Sequence, residues 1–194
     1  KSNFAKFSYK PIPTLEELQF EKTNLDDFDI PTGTLGGKKL LEKFKKNIKY
    51  YSTNRNYPFI RGVSYLSVHN RFGTLSIRHL VKIAIEADNA GSATWLSELI
   101  WRDFYFQIVA NFQHVSENKS FKPQFENLQF ENDKNKFEAW KNGLTGFPII
   151  DAAMKQINQT GYMHNRLRMI VSSFLVKDLL IDWRWGEQYF VDNL

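Results

Sequence analysis

Apolar residues recur every three or four positions from Gly36 onward, which is the period of an amphipathic helix. The first such stretch places lysines opposite one apolar face, which carries Leu40, Leu41, Phe44 and Ile48. The same period predicts further helices over 76–88, 92–112, 135–142, 147–160 and 162–180 and from about Trp185. No run alternates convincingly between apolar and polar residues, so the pattern predicts an all-α fold.

Residues that favour helix ends support these boundaries. Ser76 is a favourable N-cap, and Pro148 suits the first turn of a helix. Gly143 and Gly161 are placed to end helices, and Gly91 is expected to follow the end of the helix that starts at Ser76. The polar stretch 113–133 is predicted to be a loop.

The first 35 residues differ from the rest of the chain. They contain three of the six prolines and show little periodicity, which predicts a mostly extended lead-in or linker over 1–35. The remainder, 36–194, is predicted to be one helical domain. The chain starts without Met, and its last helical pattern runs to Leu194 without a capping residue, so we expect a piece of a longer protein.

Composition and charge favour a folded globular protein over a membrane protein. Hydrophobic residues make up 42% and aromatic residues 15% of the chain, which is typical of a folded globular protein. The net charge of +5 is compatible with a polyanionic partner such as nucleic acid or a phosphate-bearing cofactor, although many basic proteins bind neither. There is no cysteine and no apolar run of about 20 residues, which favours a protein of the cytoplasm over a membrane protein. A monomer is expected.

An unusual polar row lies in "TGYMHNRLRMI", residues 160–170. On a helix it would group Tyr162, Asn165 and Met169, with Arg166 and Arg168 beside them. The opposite face would then be apolar, with Met163, Leu167, Ile170 and Phe174. A solvated face explains most charged helix faces, but Tyr, Asn and Met beside two arginines also suit a face that binds a ligand.

A second stripe lies in "WLSELIWRDFY", residues 95–105. Helical spacing aligns Trp95, Glu98, Arg102 and Tyr105, with Trp101 at the edge of the stripe. One interpretation is an ordinary Glu98–Arg102 pair of spacing i, i+4 among core aromatics. The other is a carboxylate and a guanidinium held among indoles, which could hydrogen-bond a planar heterocycle and stack on it.

Other motifs are weaker by themselves. "GVSYLS", residues 62–67, could offer backbone amides and hydroxyls to a phosphate. In "DWRWGEQYF" the two tryptophans are two positions apart and cannot share a helix face. The chain has no GxxxxGK[ST], GxGxxG or HExxH motif, and its four histidines lack the spacing of metal ligands. No metal is therefore expected, and a cofactor would carry any difficult chemistry.

Together these stretches resemble the FAD-binding helical domain of the DNA photolyase/cryptochrome family, in particular its class I cyclobutane-dimer photolyases. The resemblance covers about 45–194 and is most specific over "AWKNGLTGFPIIDAAMKQINQTGYMHNRLRMIVSSFLVKDLLIDWRWGEQYF". The family also has an N-terminal α/β domain and an "NNGGWQW" segment beside the flavin, and neither occurs in this sequence. The resemblance therefore implies a partial FAD-binding domain over 36–194.

The resemblance implies FAD as cofactor and assigns the residues that hold it. They are Tyr51, Val63, Ser64, Tyr65, Leu66, Ser67, Trp95, Arg102, Asn165 and Arg168. It also implies contacts with DNA that contains a pyrimidine dimer. These contacts fall on Arg55, Glu98, Trp101, Arg102, Tyr105, Asn165 and Arg166.

The implied activity is that of a deoxyribodipyrimidine photo-lyase, in which light drives an electron from reduced FAD to a cyclobutane pyrimidine dimer. Glu98, Asn165 and Met169 would be the catalytic residues at the lesion, and Met169 replaces the His typical of the branch that repairs (6-4) lesions. The alternatives are a cryptochrome-like blue-light photoreceptor, with the same fold and flavin, and an inactive fragment without cofactor.

Some positions depart from the family pattern. Val63 replaces the usual Thr, so one hydroxyl near the phosphates is lost. Trp183 matches the middle tryptophan of the chain of three that reduces the flavin, but Phe130 occupies the position of the exposed terminal one. Because Phe is much harder to oxidise than Trp, we expect no photoreduction by the usual route, unless Trp185 replaces the missing member.

Overall fold

The structure, a computed structural model, describes residues 11–20 and 29–194. Within these ranges there are nine α-helices and no strand, which confirms the predicted all-α fold. The helices are α1 Gly33–Lys45, α2 Tyr51–Asn54, α3 Ser67–Arg71, α4 Ile77–Ala87, α5 Ala90–Asn111, α6 Lys134–Lys141, α7 Pro148–Thr160, α8 Asn165–Lys177 and α9 Trp183–Asn193. Short 3₁₀ turns span Ile48–Tyr50, Gln113–Glu117 and Pro123–Phe125.

Most of the predicted lead-in segment lies outside the described residues, namely 1–10 and 21–28. The first helix begins at Gly33 rather than at Gly36. The division of the chain at position 35 stays a prediction.

The helices bury two separate apolar clusters. The N-terminal core collects residues of α1, α2, α4 and α5, and it includes the predicted apolar face of the first helix. Its members are Leu40, Leu41, Phe44, Ile48, Tyr51, Leu66, Leu75, Leu80, Ile83, Ala84, Trp95 and Leu99. The C-terminal core lies among α6–α9, with Trp140, Ile150, Ala153, Met154, Ile157, Met163, Val171, Leu175 and Ile181. At its centre Trp140 is fully buried, and its indole N–H donates to the carbonyl of Val171 at 3.0 Å.

Helix α8 starts later than the pattern predicted. His164 is its N-cap, since the ring Nδ1 accepts a hydrogen bond from the amide of Arg166 at 3.2 Å. Tyr162 therefore lies in the turn before the helix and not on its face. The predicted apolar face is also wrong at Ile170, which is exposed, because the buried row of the helix contains Val171 and Leu175.

The predicted role of Gly91 is also wrong. The helix that follows Ser76 ends at Ala87, and Gly91 lies in the first turn of α5. A Cβ atom at Gly91 would lie 2.0 Å from the carbonyl oxygen of Ile48, so glycine is what allows α5 to approach this 3₁₀ turn. Glycine is needed here because two backbone segments pack closely, and not because a helix ends at this position.

Other helix ends agree with the sequence. Gly143 and Gly161 have φ angles of +62°, which suits glycine at the end of a helix, and Pro148 is the first residue of α7. Ser76 is at the N-cap of α4, although its side chain makes no capping hydrogen bond. None of the helices in the described part of the chain combines the length and the hydropathy needed to cross a lipid bilayer.

Candidate flavin and DNA site

A cavity of about 660 Å³ lies between α5 and the segment 64–72, and we call it the central cavity. It is lined by Tyr51, Ser64, Ser67, Asn70, Arg71, Phe72, Trp95, Glu98, Leu99, Arg102 and Phe106. Six of these residues were assigned from the sequence to the cofactor or to DNA. They lie far apart along the chain, and the fold brings them to one concavity.

The aromatic walls of the central cavity are fixed by the N-terminal core. Trp95 is only 3% exposed, and its ring centroid lies 5.0 Å from that of Phe44. Phe44 in turn meets the ring of Tyr51 edge-on at 5.6 Å. Burial raises the pKa of Tyr51 to about 12, so its hydroxyl stays protonated even in mildly alkaline solution.

The loop Val63–Ser67 divides its side chains between two cavities. Ser67 lines the central cavity, Val63 and Tyr65 line a neighbouring one of about 270 Å³ beside α1, and Ser64 lines both. Leu66 is buried in the N-terminal core. Tyr65 has a φ of +56°, a left-handed conformation that is uncommon for a residue with a side chain and is typical of functional loops.

At the mouth of the cavity, Glu98 forms an ion pair with Arg55 and not with Arg102. The side chains of Arg55 and Glu98 are 26% and 34% exposed, respectively. Arg102 instead donates to the carbonyl of Asn70 at 3.2 Å. The i, i+4 pairing considered from the sequence is therefore wrong, because the guanidinium of Arg102 binds the backbone of α3 instead.

The N-terminal end of α8 meets the turn that contains Arg55. Arg166 donates to the side-chain oxygen of Asn56, with Nε at 3.1 Å. Since Arg55 and Asn56 are neighbours, one short turn contacts both α5, through Glu98, and α8, through Arg166. This turn therefore joins the two predicted DNA-binding stretches.

The other polar residues near the start of α8 are partly buried or exposed. Arg168 donates to the carbonyl of Met163 at 2.9 Å, and burial lowers the pKa of its guanidinium. Asn165 and Met169 are exposed, with the Asn165 amide 3.8 Å from the Met169 sulfur. Neither of these two side chains is among those lining the central cavity, so the structure leaves both facing solvent beside Arg166.

Burial also sets the state of His164, which begins α8. The pKa of its ring is lowered, first by burial and then by the charges of Arg166, Arg168 and Arg55. Its Nδ1 accepts the capping hydrogen bond, so the neutral ring carries its proton on Nε2, which is buried and has no protein partner. The capping hydrogen bond thus fixes one tautomer beside the turn at Arg55.

Two predicted DNA-binding aromatics project from α5. Trp101 and Tyr105 are 49% and 62% exposed, and their ring centroids are 5.9 Å apart. Exposed rings of this kind are suited to stacking against planar groups. They are on the same helix as Glu98.

Backbone hydrogen bonds connect the two stretches of chain that carry the predicted electron-transfer residues Phe130 and Trp183. The residue after Phe130, Glu131, donates its amide to the carbonyl of Leu180 at 2.9 Å, three positions before Trp183. The guanidinium of Arg184 lies 4.6 Å from the ring centroid of Trp183. Trp183 also lines a second cavity, of about 520 Å³.

The two tryptophans at the start of α9 have separate surroundings, as the sequence predicted. Trp185 packs against Phe137, with a centroid distance of 5.2 Å, and thereby belongs to the edge of the C-terminal core. Phe137 stacks in turn on Trp140 at 5.9 Å. Trp185 is thus part of an aromatic cluster that the family pattern does not assign to electron transfer.

Sequence reasoning missed several residues of the central cavity, among them Asn70, Arg71 and Phe106. Asn70 and Arg71 are three and four positions after Ser67, and Phe106 is four after Arg102, so helical spacing was the available signal. Arg71 lines both the central and the second cavity. In the part of the chain that the structure describes, no group of three or more His, Cys, Asp or Glu side chains could hold a metal ion.

Comparison with known proteins identifies the family to which this helical fold belongs. The family described as the FAD binding domain of DNA photolyase matches residues 95–194, and the chain belongs to this family. FAD is the cofactor that the description of the family names.

Among its relatives, a deoxyribodipyrimidine photo-lyase of Neurospora crassa is 48% identical over 173 residues, which cover 84% of this chain and 28% of that protein. The crystal structure of a bacterial class III photolyase from Agrobacterium tumefaciens superposes with a TM-score of 0.87 at 33% identity, over 96% of this chain and 41% of that one. A cryptochrome from Synechocystis gives a TM-score of 0.81 at 30% identity, over 94% and 40%. The chain thus spans less than half the length of these proteins.

Proposed function

We propose that this protein is a deoxyribodipyrimidine photo-lyase, which binds FAD in the central cavity and repairs cyclobutane pyrimidine dimers in DNA under light. The observation that carries the proposal is the Arg55–Glu98 pair, which holds a carboxylate at the mouth of a cavity lined with groups that suit a dinucleotide. Close relatives with this name support the same activity.

The residues of the central cavity fit FAD chemically. Ser64 and Ser67 offer hydroxyls, and Arg102 offers a guanidinium to a diphosphate. The side-chain oxygen of Asn70, which lines the same cavity, is buried and has no hydrogen-bond partner, so a ligand hydroxyl could donate to it. Trp95 and Tyr51 provide flat walls. Reduced FAD, when bound and excited by light, would supply the electron for repair.

The mouth of the cavity fits a pyrimidine dimer. Photolyases are among the enzymes that extrude their target bases from the duplex, so the dimer has to be recognised outside the stack. The Glu98 carboxylate and the Asn165 amide can hydrogen-bond the polar edges of the bases, and Trp101 can provide an aromatic wall. Nearby, Arg55 and Arg166 suit the flanking phosphates, which position the strand.

The proposal is tested first by absorption spectroscopy. The chain is incubated with FAD, freed of unbound cofactor and scanned for the visible flavin band. Under blue light with a reductant, the protein should then convert a dimer-containing oligonucleotide to the undamaged form, with a dark sample as control. Binding of FAD without any conversion would argue against photolyase activity, and absence of the band would argue against both parts of the proposal.

A second candidate function is a blue-light photoreceptor of the cryptochrome type. The similarity to the Synechocystis cryptochrome favours it, because fold and cofactor are compatible with both classes. A flavin-loaded protein with no preference for dimer-containing DNA would support this alternative. The cofactor-free module is the third possibility, and a colourless protein after incubation would support it. The cytoplasmic location and the monomeric state stay predictions from the sequence.

A further inference from the structure

Two exposed aromatic rings lie on the loop that follows Arg55. Phe59 is 86% exposed and Tyr57 is 47% exposed, and their ring centroids are 5.9 Å apart at an interplanar angle of 59°. Single exposed apolar residues are common on protein surfaces, but here two neighbouring rings meet on one loop. We call the pair the aromatic platform.

Backbone hydrogen bonds hold this loop in one conformation. The amide of Tyr57 donates to the carbonyl of Asn54 at 3.2 Å, and the amide of Ile60 donates to the carbonyl of Tyr57 at 3.0 Å. Between the two rings, Pro58 has a fixed φ angle. At the end of the loop, a Cβ atom on Gly62 would lie 2.4 Å from that of Asn54. The rings are therefore displayed by a tight turn, which lowers the entropy lost on binding a ligand.

The platform lies directly beside the proposed DNA-binding residues. Tyr57 follows Asn56, whose side chain accepts the hydrogen bond from Arg166. Asn56 follows Arg55, the partner of Glu98 at the mouth of the central cavity. Two guanidinium groups and two exposed rings thus share one edge of the site.

We propose that Tyr57 and Phe59 form a base-stacking site for DNA next to the extruded dimer. This inference rests on the proposed function and extends it to the bases that flank the lesion. Removal of a dimer from the stack leaves its neighbouring bases with an exposed π-face. Aromatic rings beside cationic groups are the usual means by which proteins hold such unstacked bases.

The test is equilibrium binding of a fluorescent oligonucleotide duplex with one thymine dimer, of the same undamaged duplex and of the undamaged single strand. The full chain saturated with FAD is compared in the dark with Phe59→Ala, Phe59→Trp and Tyr57→Ala. Both Ala variants should weaken binding of the dimer duplex about five- to 100-fold, the effect of losing one base–aromatic stack. Phe59→Trp should bind at least as well as the unmodified chain. The dependence of affinity on salt should stay unchanged in all three, because no phosphate contact is lost.

The matched control is Phe125→Ala, which removes another exposed ring, from the 3₁₀ turn at Pro123–Phe125. If Phe59→Ala binds the dimer duplex as tightly as Phe125→Ala does, the stacking site is refuted while the proposed repair function stands. If the unmodified chain binds damaged and undamaged duplex equally, the repair function fails. In that case, weaker binding of the undamaged single strand by Phe59→Ala would still support the stacking site. No DNA binding by the unmodified chain would overturn both.

Discussion

Arg55 and Glu98, 43 residues apart in the sequence, form the ion pair that connects the turn after α2 to the middle of α5. The pair has two consequences. It orients the Glu98 carboxylate at the mouth of the central cavity, and it leaves Arg102 free to bind the backbone of Asn70. A carboxylate held by a salt bridge is well placed to accept hydrogen bonds from a second ligand without moving.

Replacement Glu98→Gln should separate the structural role of this pair from its binding role. Because both side chains are partly exposed, the free energy of unfolding should fall by only about 1 kcal/mol. Affinity for dimer-containing DNA should fall about tenfold, since a charge-assisted hydrogen bond is lost. Urea unfolding and fluorescence anisotropy measure the two effects.

The control is Glu131→Gln, which removes a carboxylate from the exposed pair with Lys136. This variant should change neither quantity. A large loss of stability in Glu98→Gln with unchanged DNA affinity would mean that the Arg55–Glu98 pair only supports the fold.

Replacement Arg71→Ala should weaken the binding of FAD. Arg71 lines the central cavity together with Arg102, so its loss removes one of two guanidinium groups available to a diphosphate. We expect about tenfold weaker binding of FAD and unchanged binding of riboflavin, which lacks the phosphates. Quenching of flavin fluorescence measures both, and Arg78→Ala, at an exposed position of α4, removes the same charge elsewhere. Equal losses for both flavins would mean that Arg71 does not recognise phosphate.

In a protein that also contains the family's NNGGWQW segment, replacement Phe130→Trp should restore photoreduction of the flavin. Phe130 directly precedes Glu131 and Asn132, whose amides donate to the carbonyl of Leu180, three positions before Trp183. An indole at position 130 is much easier to oxidise than the phenyl ring of Phe130. The rate of flavin reduction under blue light with an external reductant should rise above that of the unmodified chain. Phe125→Trp, in the same polar segment, is the control and should give no increase. A fast rate in the unmodified chain that is lost in Trp185→Phe would instead assign the role to Trp185.

The neutral state of His164 predicts a loss of stability in mild acid. Burial and nearby arginines lower the pKa of its ring in the folded protein, so the unfolded chain binds the proton more readily. The free energy of unfolding should therefore be constant above pH of about 6.5 and should fall below it, by at most ~1.4 kcal/mol per unit of pH. Thermal unfolding from pH 7.5 to 5 measures this slope.

His164→Asn is the informative variant, because Asn is a good N-cap but does not titrate. It should reduce the dependence on pH in this range and retain α8. An unchanged slope would mean that other groups cause the acid sensitivity.

The sequence predicted most of the helices because their apolar faces have a regular period. It did not predict α2 and α3, which have four and five residues and are too short for periodicity to be visible. The role of Gly91 was misassigned because a glycine can indicate either the end of a helix or a close approach between two backbone segments. Only the fold shows that the carbonyl of Ile48 is the neighbour.

The candidate site was predictable to a different degree. The family pattern identified Ser64, Ser67 and Trp95 as neighbours of a ligand, and the three line one cavity. The partner of Glu98 was not predictable, because local spacing favoured Arg102 and the true partner comes from a distant turn. Long-range pairs of this kind depend on how helices pack, which the period of a single helix does not contain.

The C-terminal core has a consequence for how the chain folds. Its buried residues all come from the contiguous segment 140–181, and those of the N-terminal core come from the separate segment 40–99. Elements that are close in sequence find one another quickly, because little chain has to be ordered for each contact. The helices α6–α9 can therefore assemble as one unit. This unit then packs against the N-terminal part of the chain, in part through the hydrogen bond from Arg166 to Asn56. The edge at which DNA is proposed to bind lies where these two units of the chain meet.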